Sequence, residues 1–187
     1  MAHFNSPVCN HRCLDTVSLY TFQHKNLSRH PQNINGDGIE WYWGGRARVS
    51  NSFIRSMDDC FAFFTEDSSK DMWGESKTIS GEVKDITIEN CVLWTTLANI
   101  FRIGFNGQAL TTDNISLKNV DVIHVSKGQW YAPWSLFCIV SPNSKGKARH
   151  SNCLVENLRL EESIALFGLQ NPEAVFSKIV LKDVIIN

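Results

Sequence analysis

An all-β fold of stacked parallel strands is the architecture this chain predicts, and three features lead to it. Short stretches rich in Ile, Val and Leu alternate apolar with polar residues, the pattern of half-buried strands. Such stretches recur along the chain, each reaching a small polar residue. No segment of useful length carries the 3.6-residue periodicity of an amphipathic helix.

The recurring stretches are Val17-Ser18-Leu19-Tyr20-Thr21-Phe22, Val49-Ser50-Asn51-Ser52-Phe53-Ile54, Ile86-Thr87-Ile88-Glu89-Asn90-Cys91, Ile115-Ser116-Leu117-Lys118-Asn119-Val120, Leu154-Val155-Glu156-Asn157-Leu158 and Ile179-Val180-Leu181-Lys182-Asp183-Val184. Aligned on the polar position they place Thr21, Asn51, Asn90, Asn119, Asn157 and Asp183 in one column, with successive spacings of 30, 39, 29, 38 and 26 residues. Spacings of this size mark a repeat architecture. A strand-only repeat of irregular length predicts a right-handed parallel β-helix, in which extra residues leave the wall as loops. The column would then hydrogen-bond its amides from one rung to the next. The competing architecture is an antiparallel sandwich. Its hairpin signals are confined to Asp37-Gly38 and Asn106-Gly107, each embedded in a long segment.

About six rungs are expected, forming one domain over residues 1–187. No linker divides it, and the most polar stretch, Thr65 to Ser80, reads as a surface loop. The final Val184-Ile185-Ile186-Asn187 stops inside an apolar strand. The expectation is therefore part of a longer helix, or a homo-oligomer joined through uncapped ends.

Composition narrows function. A net charge of -1 leaves no basic field for nucleic acid or an anionic membrane. No apolar run approaches the roughly 20 residues of a membrane span. The first residues, Met1-Ala2-His3-Phe4-Asn5-Ser6-Pro7, show no signal peptide. Six cysteines, Cys9, Cys13, Cys60, Cys91, Cys138 and Cys153, include no CxxC pair. Cys9, His11 and Cys13 could contribute to a metal site, but no second pair follows; buried free thiols are the simpler reading.

Two segments carry candidate chemistry, Ile34-Asn35-Gly36-Asp37-Gly38-Ile39-Glu40 and Ser56-Met57-Asp58-Asp59-Cys60-Phe61-Ala62-Phe63. Asp37 precedes Asp58 and Asp59 by 21 and 22 residues, slightly under one rung. The segments can therefore lie side by side and bring three carboxylates together. Like charges so placed hold a proton among them. A protonated carboxyl beside an ionised one is what glycoside hydrolysis uses. The alternatives are a plain Asp-Gly turn with a solvated strand end, or a calcium site. Both carboxylates reaching one cleft requires a bulge or turn at Met57-Asp58, because neighbouring strand residues face opposite ways.

Asn35-Gly36-Asp37-Gly38 followed by Asp58-Asp59-Cys60 resembles the NxDG and DDC signatures of polygalacturonase-type hydrolases, glycoside hydrolase family 28. Gly-His-Gly is missing, and Arg102-Ile103-Gly104 stands where that family has Arg-Ile-Lys. Residues 34–165 are more similar to glycoside hydrolase family 49, the dextranases and isopullulanase. The parallels are the Asp pair, Val92-Leu93-Trp94, Phe101-Arg102-Ile103-Gly104-Phe105 and Asp121-Val122-Ile123-His124. That family's N-terminal β-sandwich has no counterpart here. The resemblance implies a pectin-lyase-like solenoid, secretion to an extracellular or periplasmic location, and inverting endo-hydrolysis of an α-linked polysaccharide without a cofactor. It makes Asp58 the general acid and Asp37 and Asp59 the water-activating base and its helper; the polygalacturonase pattern would instead put the acid at Asp59. Candidate substrate contacts are Trp41, Trp43, Arg102, His124, Trp130 and Trp134, with Trp94, Phe105 and Tyr131 as further aromatic candidates. A buried Arg102 could instead pair with the aspartates. A non-catalytic carbohydrate-binding or tailspike-like β-helix is the alternative function.

Overall fold

The computed structural model describes residues 2–4, 17–20, 37–42, 44–64, 80–103, 109–125, 135–139, 148–162, 165–169 and 173–187. Among them are thirteen strands and no helix. The first seven are β1 (Ala2–Phe4), β2 (Val17–Tyr20), β3 (Ile39–Tyr42), β4 (Gly44–Ser50), β5 (Phe53–Ser56), β6 (Phe61–Phe64) and β7 (Ser80–Thr95). The remaining six are β8 (Phe101–Ile103), β9 (Ala109–Val125), β10 (Ser135–Ile139), β11 (Arg149–Leu160), β12 (Ala165–Leu169) and β13 (Val175–Ile186).

The chain alternates between two sheets. One has the order β1-β3-β6-β8-β10-β12, and the other β13-β11-β9-β7-β4-β2 with β5 also on β7. Apart from the antiparallel β1–β3 pair, every pairing is parallel. This removes the antiparallel sandwich. In the second sheet Ala47 pairs with Ile86, Ile86 with Ile115, Ile115 with Cys153 and Cys153 with Ile179. Those offsets reproduce the 39, 29, 38 and 26 of the polar column. Tyr20 opposite Ser50 repeats the first spacing of 30. Thr21 itself, residues 65–79 of the expected loop, and the Cys9–His11–Cys13 group lie outside the described residues.

The polar column works as a bend. Asn51, Asn90, Asn119, Asn157 and Asp183 all have φ between 51° and 53°. Asn and Asp adopt this left-handed conformation at lower cost than other side-chain-bearing residues. Amide groups then link neighbouring strands: Asn90 Nδ2 donates to Asn51 Oδ1 (3.3 Å), Asn119 to Asn90 (3.1 Å) and Asn157 to Asn119 (2.7 Å). A second bend column stands five residues earlier, at Arg46, Asp85, Asn114, Asn152 and Lys178, with φ of 52–58°. Between the bends, period-2 alternation sends Val49, Ile88, Leu117 and Val155 inward, each with no exposed surface. In the first sheet Ile39, Phe61 and Phe101 form the matching buried column, and the two Phe rings stack at 4.9 Å.

Candidate active site

Three segments lie in register at one end of the first sheet. Gly38 N donates to Asp59 O (2.8 Å) and Ile39 N to Cys60 O (3.0 Å). Cys60 N donates to Asn99 O (3.0 Å) and Phe61 N to Ile100 O (2.9 Å). Asp37, Asp59 and Asn99 are thereby level with one another, each two residues before β3, β6 and β8. The 22-residue separation of Asp37 and Asp59 is the Ile39–Phe61 register itself. Gly38 permits the approach. A Cβ there would sit 2.5 Å from the Cys60 carbonyl oxygen and 2.8 Å from Ile54 Cγ2, so the Asp-Gly pair serves close strand packing.

The chain bends at Met57 and Asp58, where the sequence requires a bulge or turn. Hydroxyls fix the bend: Ser56 Oγ donates to Asp58 O (2.8 Å), as does Thr95 Oγ1. Asp58 ends half-buried. Carboxylate oxygens of Asp37, Asp58 and Asp59 lie within 4.8 Å of one another.

Arg102, on β8, faces this group. Phe101 and Ile103 belong to the core, so alternation turns Arg102 to the opposite side of the strand. Its Nε lies 2.8 Å from Asp59 Oδ2 and its terminal nitrogen 3.9 Å from Asp37 Oδ2. Asp59 Oδ1 accepts from both Asn99 N (2.8 Å) and Asn99 Nδ2 (3.2 Å). Asp59 N in turn donates to Asp37 Oδ1 (3.0 Å). Asp59 and Asn99 are fully buried, and Asp37 and Arg102 are each 6% exposed. Arg102 is thus engaged by carboxylates, which answers the need of a buried guanidinium for a partner and sets it apart from a direct sugar contact. The guanidinium offsets one of the three carboxylate charges, and the three carboxylates are close enough together to hold a metal ion.

Cys60 packs beneath the aspartates. Burial pushes its thiol up to about 12, with hydrogen bonds to the Ser56 side chain and the Trp94 backbone opposing the rise and the charges of Asp59 and Asp37 adding to it. The thiol is therefore neutral at ordinary pH, and no thiolate nucleophile is present there. Cys60, Cys91 and Cys153 are all free.

His124 lies in a different group. The Arg55 guanidinium stacks 4.2 Å from the Trp94 ring, and His124 meets that ring edge-on at 5.5 Å. His124 Nδ1 is 2.5 Å from Glu162 Oε1. This surface row joins the site through β7, since Thr95, which follows Trp94, holds the Asp58 carbonyl. Trp41 lies on β3 opposite Phe63. Trp43, Phe105, Trp130, Tyr131 and Trp134 lie outside the described residues.

Sequence reasoning did not single out Asn99, Ser56 or Thr95. Ser56 reaches two residues along its own bend, whereas the partners of Thr95 and Asn99 are 37 and 40 residues away, and only the strand register shows that those meet. No protein-family profile, curated protein or solved structure matches the chain.

Proposed function

We propose that the two sheets are walls of a right-handed parallel β-helix and that the chain is a glycoside hydrolase cutting an α-linked polysaccharide, dextran-like before pectin-like. The observation that carries this reading is the convergence of Asp37, Asp58 and Asp59, the first and last of them facing one guanidinium, within an apolar frame. Burying ions costs several kcal/mol each before their attraction is counted, and well-packed apolar residues often serve stability as well or better. A sequence that keeps such a cluster departs from the rule for a stable core, and such departures concentrate at functional sites.

The roles follow from exposure and hydrogen bonding. Asp58, half-buried on the bend, protonates the glycosidic oxygen. Asp37, at the margin of the buried pair, takes the proton of the attacking water, and Asp59 holds its charge in place. The glycosidic bond breaks towards the protonated leaving sugar as the water oxygen bonds to the anomeric carbon. The nearest carboxylate oxygens, within 4.8 Å, are closer than the roughly 6.5–9.5 Å of an inverting pair. That spacing is nearer the roughly 5–5.5 Å of a retaining pair, so inversion requires the Asp37 and Asp58 carboxyls to stand farther apart when a sugar is bound.

No helix among the described residues is long and apolar enough to cross a membrane. Extracellular or periplasmic action on a polysaccharide, without a cofactor, completes the reading. The exposed Val180 and Ile185 on β13 support self-association along that edge. The near-complete burial of Asp37 and Asp59 supports a second reading, in which the cluster is structural and the β-helix only binds glycans. Incubation with dextran, pullulan and polygalacturonate separates them. The hydrolase reading expects dextran to be cut fastest, with the product's first anomer inverted by NMR. Release of no sugar from any of the three supports the binding module, and a retained anomer overturns the assignment of Asp37 as base.

A further inference from the structure

We propose that Asn99 is the positioning residue of this site: it fixes the Asp59 carboxylate in its charged form and leaves the site's proton to Asp58. The inference rests on the hydrolase reading for its catalytic meaning, but its physical content stands on the geometry alone.

Both hydrogen-bond donors of Asn99 meet one oxygen. Its backbone N and its Nδ2 reach Asp59 Oδ1 at 2.8 and 3.2 Å. The other oxygen, Oδ2, lies 2.8 Å from Arg102 Nε. One oxygen of the carboxylate is therefore held by hydrogen bonds and the other by an ion pair. Asn99 is itself immobile, being fully buried with its carbonyl accepting from Cys60 N. The donors continue in one direction, because Asp59 N points at Asp37 Oδ1 (3.0 Å). Every donor in this chain favours the ionised form of its acceptor. Among the described residues, the charged and titratable groups shown around Asp59 include Arg102 on β8, Asp37 before β3, and its neighbours Asp58 and Cys60. Of the three carboxyls, Asp58 alone is half-exposed on the bend. It is the one that can exchange a proton with a substrate oxygen. An Asp at position 99 would lose the amide donor and add a fourth negative charge; an Asn supplies a donor without charge.

The test is a carboxyl-resolved NMR titration of Asp59 in the wild-type protein, Asn99→Ala and the near-isosteric Asn99→Asp, each checked for folding by circular dichroism. Loss of one hydrogen bond to a charged group should raise the Asp59 midpoint by about one pH unit in Asn99→Ala, and Asn99→Asp should raise it further. Activity on dextran should fall about tenfold in kcat with KM unchanged, and the acid limb of the pH profile should move up by the same unit. An Asp59 midpoint that stays put in a folded variant overturns the proposal, even if activity falls. A shifted midpoint in a protein that cuts no glycan upholds the positioning role and defeats the hydrolase reading instead.

Discussion

Replacing Arg102 by Met removes a cation that faces two buried carboxylates. Asp59 is fully buried and lies 2.8 Å from Arg102 Nε, and Asp37 is 3.9 Å from the guanidinium. Solvent screens neither contact appreciably, so the discount applied to surface pairs does not enter. Removing one partner of a buried pair costs about 3–5 kcal/mol, because the remaining charge is left uncompensated. Against a total stability of about 5–15 kcal/mol, that is a large share. The loss should depend on pH with a definite sign. Without the guanidinium, the folded-state carboxyls titrate above their unfolded values. Arg102→Met is then most destabilised at neutral pH and recovers as pH falls through the raised folded values. Urea unfolding at pH 7 and pH 4.5 measures both points. Arg102→Met combined with Asp59→Asn should recover much of the loss, since one buried charge has been removed with its partner. A loss below about 1 kcal/mol at pH 7, or the same loss at both pH values, refutes the view that Arg102 holds the aspartates in their charged form.

Other consequences concern the frame. Gly38→Ala drives a Cβ to 2.5 Å from the Cys60 carbonyl oxygen, which is backbone and must move; a loss of about 1–3 kcal/mol in urea unfolding is expected, and no loss shows that the strands at Asp37 and Asp59 are not so close. Asn119 bends its strand at φ 52° and exchanges amide hydrogen bonds on both sides, so Asn119→Ala should cost about 1–2 kcal/mol and Asn119→Gly less, because glycine keeps the conformation; equal losses contradict the bend. His150 is buried, with Nδ1 2.9 Å from Thr112 Oγ1, and burial lowers its pKa from 6.5 to about 4. Its folded value lies below its unfolded one, so its contribution is complete above pH 6.5 and fades as pH falls towards 4, about 3 kcal/mol over the window. His150→Phe should flatten stability between those pH values, and an unchanged slope would show that His150 is not held neutral.

The repeat spacing was legible because asparagine both tolerates the bend and bonds to its own kind. The second bend column is harder to read because Arg46, Asp85 and Lys178 share it with only two asparagines, Asn114 and Asn152, so no one residue type runs along it. The short antiparallel β1 carries three residues and no turn signal. At the site, the 22-residue separation of Asp37 and Asp59 was readable because it is close to one repeat. The partners Asn99 and Thr95 lie 40 residues from Asp59 and 37 from Asp58, across the expected surface loop. Periodicity alone does not say which residue on the far side comes level. Arg102 stood out as a charge in an apolar strand, and a buried cation calls for a carboxylate, so its pairing was within reach of the sequence.

The central claim is that Asp58, beside the buried Asp37 and Asp59, donates the proton that cleaves a glycosidic bond. The direct measurement is kcat for reducing-sugar release from dextran by the wild-type protein and by Asp58→Asn, with unfolding curves for both. Asp58→Asn keeps the half-exposed side chain's shape but cannot donate the proton; the account predicts measurable release by the wild type, a fall of about 10²–10⁴-fold in the variant, and stability altered by less than about 1 kcal/mol. No release by the wild type, or equal release by the two proteins, contradicts it.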